Sequence, residues 1–293
     1  MQPEISNNFL VCQLQVGPFH THLCFFFSTI EDRYSSCATR KRASPDLLIA
    51  RLPRLLSLFS KLVLIDCNHL FVCKYLNRRR RRIAQIISGK KWRGLNRWPS
   101  GLPGFRDTML LYFRTMEALG QQLLAIYALA LDLPRDYFLP LFDGAHINLR
   151  LSHYPANAAA EDNQFGIAPH ADAGFLTMLP QSAVPGLEIR TASGRWLAAP
   201  SLPGSYLVNT GDTLNRWTNG RFLSTPHRAS NKSGEERYAM PFFYDPNTDT
   251  MIECLPTCQG PNNPPKHQPQ TYGEFYAWFV RSNYKNIREI EAA

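Results

Sequence analysis

The chain has 293 residues, 44% of them hydrophobic and 12% aromatic, with a formal charge of +9, as expected for a globular protein with one large core or two small ones. Its seven cysteines are odd in number and irregularly spaced, which excludes a disulfide framework and favours free thiols in a reducing compartment. The apolar run of residues 62–75 is interrupted by Asp66, Asn68 and His69, which excludes a membrane-spanning segment.

The N-terminal part of the chain contains apolar patches without a sustained period. VCQLQV (residues 11–16) and HLCFFFSTI (residues 22–30) are candidate strands. We therefore separate an atypical N-terminal region, residues 1–90, from a regular domain, residues 91–293. No basic segment followed by an apolar one opens the sequence, so we expect no signal peptide and a cytoplasmic location.

Much of the positive charge lies in residues 77–97, which include the arginine run Arg78–Arg82. We interpret this segment as a solvated basic linker and expect neither a membrane nor a nucleic-acid partner. The alternative is a nucleic-acid or membrane-surface contact. Such binding would depend steeply on salt and would be lost on deletion of residues 1–90.

The segment between Pro103 and Pro134 has the period of an amphipathic helix. Its apolar residues recur at steps of three or four: Met109, Phe113, Met116, Leu119, Leu123, Ile126 and Ala130. The two flanking prolines are typical helix boundaries. The pattern predicts one long core helix without a catalytic role.

From His146 onward the pattern becomes strand-like. Alternating segments include INLRLSHYP, LTMLPQ, SYLVNT and RYAMPFF, and GLEIRTASGRWLAAP reads as a hairpin around Ala192–Gly194. TYGEFYAWFVRSNYKNIREIEA, residues 271–292, closes the chain as a helix. Six or more short strands with Gly, Pro and Asn punctuation predict a mainly β fold with flanking helices, its core a double-sheet jelly roll or a barrel.

A candidate metal site begins in HADAGFLTM, residues 170–178. His170 and Asp172 lie two apart, so a strand places both side chains on one face. A lone His-x-Asp is weak evidence, and His227 in STPHRAS is the best third ligand. Two imidazoles and one carboxylate form the facial triad of non-haem Fe(II) oxygenases, which leaves three adjacent coordination positions open. His153 is discounted because alternation turns it away from the face of Tyr154.

An oxygenase of this kind needs a source of electrons, of which a dicarboxylic 2-oxo acid is the commonest. Its oxo group and one carboxylate chelate iron, and its distal carboxylate needs a cation at a fixed distance. Arg237 opens the predicted strand that follows His227. Its planar guanidinium can hold a carboxylate through two parallel hydrogen bonds. Arg237 is therefore the candidate anchor.

Four segments together resemble one known family. HADAGFLTM, GLEIRTASGRWLAAPSLPGSYLVNTGD, NGRFLSTPHRA and RYAMPFFYDP, in this order and spacing, resemble the isopenicillin N synthase-like family of 2-oxoglutarate/Fe(II)-dependent dioxygenases. The resemblance runs from about residue 92 to residue 284. It implies a double-stranded β-helix (jelly-roll) core, with Fe(II) bound by His170, Asp172 and His227.

The same resemblance implies the roles of the cosubstrate residues and the reaction. Arg237 would bind the distal carboxylate of 2-oxoglutarate, and the Tyr154 hydroxyl would help to hold that molecule. A small organic metabolite would be oxidised by O2, through hydroxylation, desaturation or cyclisation, with release of succinate and CO2 and with ascorbate as a reductant. The sequence makes no prediction of the substrate or of the oligomeric state.

Two departures from the family leave alternatives open. The family usually has Arg-x-Ser, but here the third residue is Ala239, and the Asn that often stands two before the tyrosine is Ser152. Loss of one neutral hydrogen bond costs about 0.5–1.5 kcal/mol, so weaker cosubstrate binding is expected. One alternative is an Fe(II) oxidase of the same fold that does not use 2-oxoglutarate. Residues 1–90 lack the family's usual opening, so they are either divergent or a mispredicted gene start. The second alternative is thus an inactive pseudo-enzyme.

Four further residues have two interpretations each. Phe175, Thr177 and Phe243 either line the substrate pocket, which is our prediction, or pack in the core. Asp212 either orients a ligand histidine or is a turn residue after a glycine.

Overall fold

The computed structural model describes residues 96–157, 164–180, 182–199, 201 and 205–283, together with the backbone of three strands upstream, at 9–16, 21–28 and 70–73. The arginine run Arg78–Arg82, the remainder of residues 1–90 and the predicted helix beyond Asn283 lie outside these residues. In the described part, no helix is both long enough and apolar enough to cross a membrane.

Helices flank a mainly β core, as predicted. The helices are α1 (Phe105–Ala130), α2 (Asp212–Trp217) and α3 (Tyr272–Asn283). The strands are β1 (Phe9–Val16), β2 (Thr21–Ser28), β3 (Leu70–Cys73), β4 (His146–Tyr154), β5 (Ile167–His170), β6 (Leu176–Pro180), β7 (Leu187–Arg190), β8 (Trp196–Ala198), β9 (Ser205–Thr210), β10 (His227–Ala229), β11 (Arg237–Ala239), β12 (Phe242–Asp245), β13 (Met251–Ile252) and β14 (Gln270–Thr271).

Two antiparallel sheets form the jelly-roll core. The larger sheet has the order β11-β4-β12-β6-β9-β1-β2, with β3 also paired to β4, and the smaller sheet has the order β5-β10-β7-β8. The predicted hairpin is confirmed as β7 and β8, which pair from Glu188–Ala198 to Arg190–Trp196. The candidate strands in VCQLQV and HLCFFFSTI are confirmed as β1 and β2, which pair with each other.

Alternation along β6 and β12 separates a core face from a cavity face. Leu176 and Met178 pair with Tyr244 and Phe242, and all four side chains are almost fully buried in the main hydrophobic cluster, together with the buried face of α1. Thr177 lies between Leu176 and Met178 on the strand, so its side chain must point to the other side of the sheet. The predicted core helix is confirmed, because α1 buries Met109, Phe113, Met116 and Leu123 in this cluster.

Phe175 belongs to the core and not to the pocket, so its prediction as a pocket residue is wrong. Its ring lies 5.1–5.8 Å, centroid to centroid, from those of Tyr127, Phe138, Phe142 and Trp217. The reason is local. Phe175 stands in a bend just before β6, so the alternation that places Thr177 toward the cavity does not extend to it.

Candidate active site

Two neighbouring strands and one loop bring the three candidate metal ligands together. His170 ends β5, His227 begins β10, and the two residues are paired across these strands. Asp172 lies in the loop that follows β5. The Nε2 atoms of His170 and His227 lie 3.7 and 3.6 Å from the same Asp172 oxygen, Oδ1. One ligand atom from each residue thus lies within 4.8 Å of the others, so they can share one ion.

Backbone carbonyls orient both imidazole rings. His170 Nδ1 lies 2.9 Å from the Ala168 carbonyl oxygen, and His227 Nδ1 lies 3.1 Å from that of Thr225. A carbonyl oxygen only accepts, so Nδ1 carries the proton in each ring. Each Nε2 therefore presents its lone pair to the shared centre, which is the tautomer that a metal requires.

The Asp172 carboxylate is held by one of its two oxygens. Oδ2 accepts hydrogen bonds from Thr177 Oγ1 at 2.6 Å and from Asn209 Nδ2 at 2.7 Å, which leaves Oδ1 for the metal. Burial by itself raises the pKa of Asp172. The nearby His227 and the two donors outweigh burial and lower the pKa below its ordinary value. The residue is therefore an anion at neutral pH.

The start of helix α2 fixes the backbone of the ligand loop. The Asp212 N–H donates to the Asp172 carbonyl oxygen at 2.8 Å, and the Thr213 hydroxyl donates to that of Ala173 at 2.7 Å. A Cβ at Gly211 would lie only 2.6 Å from the Asp172 carbonyl oxygen, so this close approach requires glycine. Asp212 thus holds the backbone of the candidate ligand Asp172 through its own N–H.

Asp245 is a buried residue of the site that sequence reasoning missed. Its Oδ1 accepts from the Phe175 N–H at 2.7 Å, and its Oδ2 accepts from the Tyr272 hydroxyl at 2.9 Å. Burial raises the pKa of Asp245 to about 7. Through these two hydrogen bonds, Asp245 on β12 connects α3 to the end of the loop that carries Asp172.

A cavity with an empty volume of about 550 Å³ opens on the triad. Thr177 and Phe243 line it, and so do Tyr154, Arg237 and Ala239. The three candidate ligands and the three predicted cosubstrate residues therefore line one cavity.

The Arg237 side chain is buried at the wall of this cavity, with 4% of its surface exposed. It is paired with Tyr154 across β11 and β4, and its Cζ lies 4.8 Å from the centre of the tyrosine ring. Its Nε and Nη1 have no hydrogen-bond partner among the described residues. Two unsatisfied donors in a buried guanidinium cost free energy, and a ligand carboxylate would satisfy them.

Metal and cosubstrate therefore both fit the residues present. Two neutral imidazoles and one carboxylate on one side of a centre form the set that binds non-haem Fe(II) with open positions. The Arg237 guanidinium, with Nε and Nη1 unsatisfied, would supply the cation for a distal carboxylate. His153, in contrast, forms an ion pair with Glu236 and stacks on Tyr238, which agrees with its exclusion as a ligand.

Asn209 and Arg150 also face the cavity and were not predicted. The alternation of side chains along each strand indicates which face both residues occupy. Arg150 is four residues before Tyr154 on β4, and Asn209 follows the core residue Val208 on β9. Their faces could be inferred from the sequence, but not the groups that they meet.

Replacing Thr177 with Val is expected to weaken divalent-metal binding by about 10- to 100-fold, the usual effect of losing a partner of a metal ligand. The substitution keeps the shape but removes one of the two donors to Asp172 Oδ2. Titration with Co(II), followed by its visible absorbance, measures the change. Thr210→Val is the matched control, because its hydroxyl donates to the Leu223 carbonyl oxygen. Equal affinities of the two variants would contradict this role of Thr177.

Comparison with known proteins gives a consistent result. A family model described as the 2OG-Fe(II) oxygenase superfamily matches residues 146–246. A 2-oxoglutarate-Fe(II) type oxidoreductase of Emericella nidulans is 39% identical over 205 residues, which cover 68% of this chain and 58% of the relative. Kihadalactone A synthase of Citrus sinensis is 36% identical over 199 residues, with 64% and 58% covered. The chain thus spans less than two thirds of the length of these relatives.

Solved structures share the fold. A 2OG-Fe(II) oxygenase family protein of Caulobacter crescentus superposes with a TM-score of 0.70 at 24% identity, covering 82% of this chain and 88% of that one. JOX2, solved in complex with 2OG, Fe and JA, superposes with a TM-score of 0.60 at 26% identity, covering 73% and 59%.

Proposed function

The chain belongs to the 2-oxoglutarate/Fe(II) oxygenase superfamily, and from this premise we propose that it is a 2-oxoglutarate-dependent non-haem Fe(II) dioxygenase. Its substrate is a small organic metabolite that is hydroxylated, desaturated or cyclised with O2, while 2-oxoglutarate is converted to succinate and CO2. We assign the activity to a domain of residues 91–293. The bound iron supplies the activation of O2, with electrons from 2-oxoglutarate.

One observation carries the proposal: the triad and a buried arginine with two unsatisfied nitrogens face the same cavity. His170, Asp172 and His227 would hold Fe(II) on one side and leave its other positions toward the cavity. Arg237 would bind the distal carboxylate of 2-oxoglutarate, with the Tyr154 ring packed against the guanidinium. JOX2, which shares the fold, was solved with 2OG and Fe, and this supports the same pair of cofactors here.

The protein's own contribution is to fix these groups before the cosubstrate arrives. The carbonyls of Ala168 and Thr225 hold the ring tautomers, while Thr177 and Asn209 hold the carboxylate. Ligands fixed in this way need no rearrangement on binding, so less free energy is lost to ordering. Apolar walls around Arg237 strengthen its attraction for a carboxylate because they exclude water.

Succinate formation without an added substrate tests the proposal. Purified protein with Fe(II), ascorbate, O2 and 2-oxoglutarate is expected to release succinate slowly, because this uncoupled turnover needs only the triad and the anchor. Arg237→Gln should raise the KM for 2-oxoglutarate by at least about 10-fold, as expected for a lost charge-assisted hydrogen bond. Arg190→Gln, at an exposed arginine outside the cavity, is the control.

The same assay separates the two alternatives. Folded, iron-loaded protein that forms no succinate would indicate the Fe(II) oxidase that does not use 2-oxoglutarate. Folded protein that binds no iron would indicate the pseudo-enzyme. Either result would overturn the dioxygenase assignment.

Ala239→Ser is expected to lower the KM for 2-oxoglutarate by about 2- to 10-fold, the equivalent of about 0.5–1.5 kcal/mol for one added hydrogen bond. Ala239 lines the cavity two residues after Arg237 on β11, so a hydroxyl there can reach the same carboxylate. Initial rates of succinate release at varied 2-oxoglutarate measure the effect. Ala229→Ser, on the cavity wall at β10, is the control. An unchanged KM would mean that the carboxylate does not lie beside Ala239.

We also propose a cytoplasmic location. Cys254 and Cys258 are free thiols, which supports a reducing compartment.

A further inference from the structure

Arg150 is a second cavity arginine that the proposed function does not use. It lies on β4 and lines the cavity, and its Nε is buried without a hydrogen-bond partner. In the part of the chain that the structure describes, no carboxylate forms an ion pair with it. Its Cζ lies 5.6 Å from the centre of the Phe243 ring, which also lines the cavity. A cation on an aromatic face, with a buried donor that has no partner, is available to bind a ligand.

The two arginines occupy different places in the cavity. Arg237 is paired with Tyr154, whereas Arg150 lies four residues earlier on the same face of β4. Four residues of a strand span about 13 Å. Arg150 is instead close to the row formed by Asn148, Phe243 and Thr177, and Thr177 holds the metal-ligand carboxylate.

The charges of the cavity balance except at Arg150. Among the lining residues that the structure describes, Asp172 is the one carboxylate, and Arg150 and Arg237 are the two guanidiniums. The two positive charges of Fe(II) would balance the two negative charges of 2-oxoglutarate, and the positive charge of Arg237 balances the negative charge of Asp172. One positive charge remains beside an aromatic ring. Arg150 is partly buried, and an uncompensated charge there favours a ligand with one negative charge.

We propose that Arg150 binds the carboxylate of the substrate, a small monocarboxylic acid whose flat apolar body packs on Phe243. The inference rests on the proposed function, because the charge count includes iron and 2-oxoglutarate. A carboxylate suits the site better than a phosphate, since one guanidinium matches its two oxygens and its single charge. Arg150 is then a specificity-determining residue at the substrate end of the cavity, and Arg237 is the anchor at the cosubstrate end.

Matched acids and amides test the proposal by binding alone. The full chain is loaded anaerobically with Fe(II) and saturating 2-oxoglutarate, and calorimetric titration gives Kd values for benzoate, trans-cinnamate and 2-naphthoate and for their carboxamides. At least one acid is expected to bind about 10- to 100-fold more tightly than its amide, as charge-assisted hydrogen bonds require. In Arg150→Gln this preference should fall to within about 2-fold, and Arg190→Gln should retain it.

Arg150→Lys keeps the charge but not the paired donors, so it should retain part of the preference even where Arg150→Gln does not fold. No preference for any acid in the wild-type protein, or an undiminished one in both Arg150 variants, would overturn the inference. The visible band of an Fe(II)–2-oxo acid chelate is recorded before each titration. Its absence from the wild-type protein would overturn the proposed function, and the inference with it. A normal band without acid preference would overturn the inference alone.

Discussion

Asp172→Ala is expected to weaken Fe(II) binding by more than about 100-fold and to abolish succinate formation. Loss of a group that merely supports a ligand costs about 10- to 100-fold in metal affinity, and here the ligand itself is removed. Asp172 also contributes the one carboxylate among the described residues that line the cavity. Without this carboxylate, two neutral imidazoles would have to hold a dication in a cavity that also contains the guanidiniums of Arg150 and Arg237. Repulsion between these positive charges makes metal binding unfavourable.

Anaerobic titration with Fe(II) and the succinate assay measure the two effects of this substitution. Asp136→Ala, at an exposed aspartate, is the matched control and should bind iron as the wild-type protein does. Circular dichroism of the metal-free variant checks that the fold is kept. A folded Asp172→Ala protein that still binds Fe(II) tightly would show that the metal lies elsewhere, and the assignment of His170 and His227 would fall with it.

The candidate site was predictable where its chemistry is local in the sequence. His170 and Asp172 lie in one short segment, and His227 and Arg237 stand at the starts of two successive strands. The period-two alternation of strands predicts which face of the sheet each side chain occupies, and the known facial triad suggests their role as metal ligands. The jelly-roll core was predictable for the same reason, because short alternating strands with turn residues between them specify that architecture.

The supporting residues were not predictable because they act across pairings that only the folded chain creates. Asn209 lies 37 residues from Asp172, and Asp245 lies 70 residues from Phe175. Nothing local in the sequence distinguishes either side chain from an ordinary polar residue in a strand. The pocket prediction for Phe175 relied on the local sequence alone, because an aromatic residue beside a ligand motif suggests a pocket. In the structure, the bend before β6 turns its side chain into the core.

Asp245 is expected to make the stability of the described core depend strongly on pH. Burial raises its pKa to about 7 in the folded chain, compared with an ordinary value of 3.8. The folded state therefore binds an extra proton between these pH values, and stability must fall as the pH rises through this range. One pKa unit corresponds to about 1.4 kcal/mol, so this group alone should remove about 3 kcal/mol between pH 5 and pH 8.

Asp245→Asn is expected to abolish that loss, because the amide cannot ionise but keeps its shape. Its oxygen can still accept from the Phe175 N–H, and its NH2 can donate to the Tyr272 oxygen. Denaturant unfolding of metal-free protein at pH 5 and pH 8 should therefore show a smaller pH dependence in the variant. Asp143→Asn, at an exposed aspartate, should behave as the wild-type protein does.

Asp245→Ala separates the charge from the hydrogen bonds. The truncation leaves the buried Phe175 N–H and Tyr272 hydroxyl without an acceptor, at about 1–3 kcal/mol each, so the variant should lose stability at both pH values. The loop that carries Asp172 would also lose its support at Phe175, so Co(II) affinity should fall with stability. If the Asn and Ala variants were equally stable at pH 5, the hydrogen bonds would contribute nothing. If the Asn variant kept the wild-type pH dependence, Asp245 would be ionised across the whole range, and another group would be the titrating residue.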